Sequence, residues 1–291
     1  MDAETEALVE EVRAARAVSD FLRVERLGRD LVRLGEERDA RDAVAAGHYH
    51  VAVALTNLNR TGEAIRASRS AIQAYDELGD DVGKARATMI LAAIAIDHDI
   101  DVGEARQYFE ASLPALRASG KPINMAIALG NLGEIYRLEG DYKAALRSAT
   151  DALASCNVDE DSHLVAWLWS DIAHYYLMMR NVDQALAAME SAYAALLRNP
   201  NARWVAWFLD VWFLVAAKAG NLEVAAQVLA FADKIRDDHN QPRSPAMLPW
   251  FSEPRERLAR ELGHARLEEL VLSGESLTLQ SAHRLAKAAF E

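Results

Sequence analysis

One cysteine, seven prolines and fourteen glycines are all that 291 residues contain of the types that staple, break or loosen a chain. The single thiol, Cys156, excludes an internal disulfide and fits a reducing compartment. So few prolines and glycines leave no room for long disordered tracts. Positive charge is also in deficit: 32 lysines and arginines against 44 aspartates and glutamates give a net charge of −12. That balance argues against nucleic acid or an anionic membrane surface as the main partner. A long hydrophobic run is missing too. The nearest, Trp204 to Ala217, is interrupted by Asp210 and is too short to span a bilayer. The opening Met1-Asp-Ala-Glu-Thr-Glu is acidic where a secretory signal is basic, so a soluble, cytoplasmic protein is expected.

What the chain has in abundance is period. Ala64, Ala105, Ala145, Ala185 and Ala225 lie 41, 40, 40 and 40 residues apart. Ala71, Ser112, Ala152, Ala192 and Ala232 follow seven residues after them, and Leu55, Ile96, Tyr136, Tyr176 and Ala216 precede them by nine. A repeat of this length means supersecondary units that bury their apolar faces by stacking. Between Ala126 and Cys156, Leu129, Leu132, Ile135 and Tyr136 keep helical spacing, Gly140 supplies a turn and Asp141 caps a second helix. Asp101, Asn181 and Asn221 are the equivalent caps, and Asp101 with Glu104 and Asn181 with Gln184 have capping-box spacing. Each unit therefore reads as a helical hairpin, with a small alanine where the paired helix crosses closely.

Leu132-Gly133, Tyr136, Gly140-Asp141-Tyr142, Ala145 and Ala152-Leu153 together resemble the tetratricopeptide repeat. Repeats align from about Ala45, Arg86, Ala126, Ala166 and Ala206. A weaker one begins near Thr5, with Gly28 where a bulky residue is usual. The resemblance implies an all-α, right-handed α-solenoid of about six antiparallel hairpins over residues 1–238. A proline-rich connection and C-terminal capping helices over 239–291 complete it, with helices returning at 255–262, 264–273 and 278–290. The period exceeds the usual 34, so each helix is expected to be about a turn longer. The tail, Arg257-Leu-Ala-Arg-Glu-Leu-Gly and then Leu270-Val-Leu-Ser-Gly-Glu-Ser-Leu-Thr-Leu-Gln-Ser-Ala, more loosely resembles the end of large bacterial ATPase and LuxR-type regulators with a repeat-containing sensor region. The chain carries no phosphate-loop motif and no spare segment for a helix-turn-helix.

In such an array the first helix of each hairpin lines a concave wall. Candidate partner-binding residues there are Tyr49, Asn131, Glu134, Arg137, Trp167, His174, Trp207 and Asp210. All six tryptophans lie between 167 and 250, and the helices 164–179 and 204–217 are apolar on nearly every side. Such helices need cover all round. The cover is the chain's own tail, led by Met247, Leu248, Trp250 and Phe251, or a partner peptide, or a small ligand. Asp210 reads either as a buried ion-paired carboxylate, with Arg203 or a neighbouring helix, or as an anchor for a cation framed by Trp167 and Trp207. The family's groove for acidic chaperone tails is lined by lysines, arginines and asparagines, a set that only Asn131 and Arg137 resemble. A hydrophobic or cationic partner is therefore expected rather than an acidic one.

No catalytic constellation with family-like spacing is visible, and neither an enzyme, a cofactor nor a metal site is expected. His48 and His50 point to different parts of one helix surface. Asp97-His98-Asp99 has ligand types but stands at a helix end, where polar residues are ordinary. Acidic neighbours at 159–161 disfavour a reactive Cys156. The leading reading is a non-catalytic scaffold that binds a protein or peptide, in bacterial regulation or signalling. The alternative is a regulatory domain that senses a small ligand or signalling peptide.

Overall fold

The computed structural model describes residues 3–18, 20–97, 102–157, 159–239 and 241–290. Among these the chain is all-α, with fifteen α-helices and no strand. Six hairpins come first: α1 (Ala3–Ala17) with α2 (Phe21–Glu37), α3 (Arg41–Asn57) with α4 (Thr61–Leu78), and α5 (Asp81–Asp97) with α6 (Val102–Ala118). Then follow α7 (Pro122–Leu138) with α8 (Tyr142–Ala154), α9 (Ser162–Met178) with α10 (Val182–Leu196), and α11 (Ala202–Ala219) with α12 (Leu222–Asp238). A single 3-10 turn at Pro245–Met247 leads into α13 (Leu248–Leu262), α14 (His264–Glu275) and α15 (Leu279–Ala288). No described helix is long and apolar enough to cross a membrane.

The recurring alanines explain the hairpins. Ala64, Ala105, Ala145, Ala185 and Ala225 have no exposed surface. Each sits where any larger side chain would have to displace the paired helix. Asp141 accepts a hydrogen bond from the Ala144 N–H at 2.9 Å, and Asn181 one from Gln184 N–H at 3.3 Å, the cap geometry that the repeat spacing predicts. Asn221 departs from it. Its side chain makes no cap and instead donates Nδ2 to the Ala289 carbonyl at 2.9 Å, tying the last hairpin to the C-terminal helix. Asp101 and the Glu104 side chain lie outside the described residues. The turns inside the hairpins recur as well: Asn59, Gly140, Arg180 and Gly220 all have positive φ, at 56°, 81°, 60° and 87°. Two of these are not glycine and carry the steric cost of that conformation.

Two compact units divide within α7, between Ala128 and Leu129. In the first, α2 and α3 cross at glycines. A Cβ on Gly28 would come within 2.9 Å of Val51 Cγ2, and one on Gly47 within 2.8 Å of both the Gly28 carbonyl and the Val32 nitrogen. Gly28, which stands where a bulky residue is usual in the repeat, is thus a close-approach site. In the second unit, helices α13 to α15 pack against the last hairpins. Phe251 stacks on Phe213 at 5.3 Å between ring centroids, His283 stacks on Tyr193 at 3.7 Å, and Arg257 donates to the Ala217 carbonyl at 3.1 Å.

The proline-rich stretch turns helical earlier than residue 255. Pro249 falls in the first turn of α13, where its missing N–H removes no bond. Pro254 lies within the same helix. Of the four expected anchors, Phe251 is buried and Trp250 half-buried, Met247 is half-buried, and Leu248 is 52% exposed.

Candidate functional site

Four of the residues nominated on the first-helix wall of the second unit, Glu134, Arg137, His174 and Trp207, come together in one cluster, held by two separate sets of hydrogen bonds. α7, α9 and α11 bring Glu134 and Arg137, Asp171, His174 and Tyr175, and Trp207 together. Tyr175 donates its hydroxyl to Glu134 Oε1 at 2.7 Å, and Arg137 Nε donates to Glu134 Oε2 at 2.9 Å. Trp207 Nε1 donates to Asp171 Oδ1 at 2.7 Å. The close approach of α9 to α7 depends on glycine: a Cβ on Gly130 would sit 2.6 Å from the Trp167 ring, and one on Gly133 3.1 Å from the Tyr175 hydroxyl.

This cluster is buried, and its protonation follows from that. Burial, with the Glu134 carboxylate nearby, holds Asp171 well above the usual carboxylate range, against the pull of the Trp207 N–H and Arg137. Burial and then Arg137 push His174 down to about 3, so it is neutral. Burial and Glu134 hold Tyr175 well above its ordinary range. Asp171 Oδ2 and His174 Nδ1 are buried without a hydrogen-bond partner.

Trp250 of α13 covers these groups. The Arg137 guanidinium lies 3.7 Å from its ring centroid, His174 lies 4.6 Å from it and Trp207 6.3 Å. The tail is therefore one cover of the aromatic wall. A second part of that wall is less enclosed. Trp167 stacks on Trp204 at 5.4 Å with 24° between the planes; both are half-buried, and Arg203 stands 5.0 Å from the Trp204 ring. Asn131, also half-buried, is on α7.

Asp210 takes the ion-paired reading. It has no exposed surface, Arg236 Nε reaches its Oδ2 at 3.1 Å, and Arg243 Nε reaches its Oδ1 at 3.1 Å. Arg243 continues to Asp233, which also binds Arg255. Burial pushes the Asp210 carboxyl up while the two guanidiniums pull it back. Its oxygens are engaged within the fold rather than framed by Trp167 and Trp207.

In the first unit, Tyr49 lies on α3 between Arg16 of α1 and Arg86 of α5, the first helices of three successive hairpins. His50 beside it is pushed down to about 3, by burial first and then by Arg16, Arg86 and Arg13. His48 is lowered by burial. The His98-Asp99 pair and the Asp97 side chain lie outside the described residues. Cys156 is pushed up to about 11, chiefly by burial and also by Asp161, so at neutral pH it is a thiol.

Sequence reasoning missed Asp171 and Tyr175, although Asp171 stands four residues after Trp167 and three before His174 and so shares their helix face. It also missed Arg16 and Arg86, which only the stacking of α1, α3 and α5 brings to Tyr49.

A signature described as tetratricopeptide repeat matches residues 124–198, which run from α7 to just past α10. No curated protein matches the chain. Among solved structures, BtubC (BKLC) from P. vanneervenii is similar in fold, with 19% identity, a TM-score of 0.52, and coverage of 82% of this chain and 91% of that one. At that identity the likeness concerns the fold alone. The hairpins, their recurring alanines and the family match agree: the chain is an all-α helical-repeat protein whose residues 124–198 match the tetratricopeptide repeat.

Proposed function

We propose that the chain is a non-catalytic scaffold that binds a protein or peptide partner on the first-helix walls of its hairpins, serving bacterial regulation or signalling. Repeats of this family generally act as protein-interaction scaffolds. The observation that carries the reading is the half-buried Trp167–Trp204 stack on α9 and α11, with Arg203 over one ring. Paired indoles offer a large, rigid contact area, and their faces attract apolar or cationic side chains. A hydrophobic or basic segment is the partner that suits this wall. The looser likeness of the tail to bacterial regulators supports the regulatory setting.

Peptide display on the purified chain tests this reading. Selected peptides should carry aromatic or basic anchors and lose at least about tenfold in affinity when Trp167 becomes alanine, as expected of a central aromatic contact. Equal affinity for wild type and Trp167→Ala would remove the wall from the function.

A second reading, a ligand-sensing regulatory domain, draws on Asp171 Oδ2 and His174 Nδ1, buried and unpartnered beneath Trp250. A small polar ligand admitted by withdrawal of Trp250 would satisfy both atoms. Thermal shifts over a panel of small polar compounds, larger in Trp250→Ala than in wild type, would favour it.

A further inference from the structure

We infer that the cleft between α12, α13 and α14 binds a small organic cation with an apolar stem, an alkylammonium ion. The cleft stands apart from the first-helix walls: α12 is the second helix of its hairpin, and α13 and α14 follow the last hairpin. Its occupant is neither the scaffold's partner segment nor a ligand beneath Trp250.

Small residues shape the cleft. Gly274 lets α14 approach the Gln227 backbone of α12 more closely than any Cβ would allow, and Gln227 Nε2 donates to Ser273 Oγ at 2.8 Å. Arg266, earlier in α14, reaches Glu223, earlier in α12, at 2.8 Å, so the two helices run in the same direction. On the third side, Leu258 of α13 is 2% exposed, and Arg255 Nη2 donates to both oxygens of Asp233 at 3.0 and 2.9 Å. The space between the helices is about 500 Å³. That lies within the roughly 300–1,000 Å³ usual for small-ligand sites. Its interior is apolar: Leu229 and Leu258 are buried, Leu267 and Val271 half-buried, and the short Ala226 and Ala230 leave the room. A floor so little exposed is reached by a slender stem and not by the surface of another protein.

The rim selects the sign of the ligand. Asp233, Asp237, Asp238 and Glu275 face only Lys234 and Arg255 there. Lys234 is committed to Asp238 at 2.8 Å and Arg255 to Asp233, so neither cation is left for an anion. The exposed side chains of Asp237 and Glu275 make no hydrogen bond or ion pair among the described residues. Asp237 and Asp238 end α12 and Glu275 ends α14. Carboxylates therefore stand at the C-termini of two helices that run the same way, where the helix dipole disfavours an anion. Their repulsion from the terminal carbonyls and from one another is a standing cost to the fold. An ammonium ion between Asp237 and Glu275 offsets that cost, while its stem replaces water against Leu267 and Val271.

The test is calorimetric titration of the full chain at low ionic strength with hexylammonium chloride, beside hexanol, hexanoate and methylammonium. Hexylammonium should bind saturably at one site, and affinity should rise roughly fourfold per added CH₂ from butylammonium to hexylammonium. Hexanol, hexanoate and methylammonium should each bind at least about tenfold more weakly, and roughly 0.5 M salt should weaken the hexylammonium complex. The double variant Asp237→Asn, Glu275→Gln should lose at least about tenfold in affinity. Because it removes two exposed anions from helix C-termini, it should unfold at the same or a higher temperature than wild type, which certifies its fold. Val271→Phe, which fills the cleft, should abolish binding. No saturable binding of hexylammonium, equal binding of hexanol, preference for hexanoate, or unaltered binding by the double variant would overturn the site. Binding of a capped octapeptide of alternating lysine and alanine, with none of hexylammonium, would overturn the assignment to a small ligand. Trp167→Ala should leave hexylammonium binding intact, so the cleft and the aromatic wall can fail independently.

Discussion

The indole N–H of Trp207 donates to Asp171 Oδ1 across 2.7 Å, while the other oxygen of that buried carboxyl has no partner. Because the folded chain holds Asp171 well above its ordinary range, it keeps a proton that the unfolded chain releases above about pH 4. The contribution of this group to stability is therefore full below that pH and is lost as pH rises toward the folded-state value. Asp171→Asn keeps an acceptor for Trp207 and has no proton to lose. Relative to wild type it should gain on the order of 1–2 kcal/mol toward neutral pH and nothing near pH 4. Thermal unfolding of both proteins from pH 4 to 8 measures this; parallel profiles would show that the group does not titrate as its burial requires.

Replacing Ala145 or Ala185 with leucine should cost about 1–3 kcal/mol, since both are wholly buried at helix crossings. Leucine at exposed Ala154 is the control and should change stability little. Equal denaturation midpoints for the three variants would break the packing account.

The crossing of α2 and α3 predicts opposite outcomes for one chemical change. Gly47→Ala places a methyl within 2.8 Å of backbone and should cost about 1–3 kcal/mol. Gly62→Ala meets only the Arg66 guanidinium at 3.9 Å and should be neutral or stabilise by up to about 1 kcal/mol through helix propensity. Urea unfolding of the two variants separates them.

Arg180 holds φ at 60° in the hairpin turn where Gly140 and Gly220 stand in other repeats. Arg180→Gly should therefore stabilise by about 0.5–1 kcal/mol, the relief of the left-handed strain less the added freedom of the unfolded chain. A lowered melting temperature would mean that the arginine side chain contributes more than its backbone costs.

Trp250→Ala should lower stability by about 2–4 kcal/mol, because it uncovers Arg137, His174 and Trp207. Leu248→Ala, at a residue 52% exposed, should stay within about 0.5 kcal/mol of wild type. Removing residues 244–291 should in addition expose α11 and α12, raise hydrophobic-dye binding and promote aggregation. A truncated chain that stays monomeric with unchanged tryptophan emission would show that the tail is not the cover.

The amino-acid sequence by itself determined the hairpins. Small residues recurring at 40 residues, helical spacing of Leu129, Leu132 and Ile135, and the caps Asp141 and Asn181 are local signals, each acting within a few residues of the chain. Periodicity also nominated Glu134, Arg137, His174 and Trp207, since residues three and four apart share a helix face. Which of those faces stays open was decided only by tertiary packing. Asp210 found its counter-ions in Arg236 and Arg243, which stand 26 and 33 residues along the chain. Trp250 closed over Arg137 from beyond the last hairpin, and Arg16 and Arg86 met at Tyr49 from either side of α3. Contacts of this kind leave no period in sequence. They depend on where separate helices come to rest, which is set by the summed burial of many side chains rather than by any local pattern.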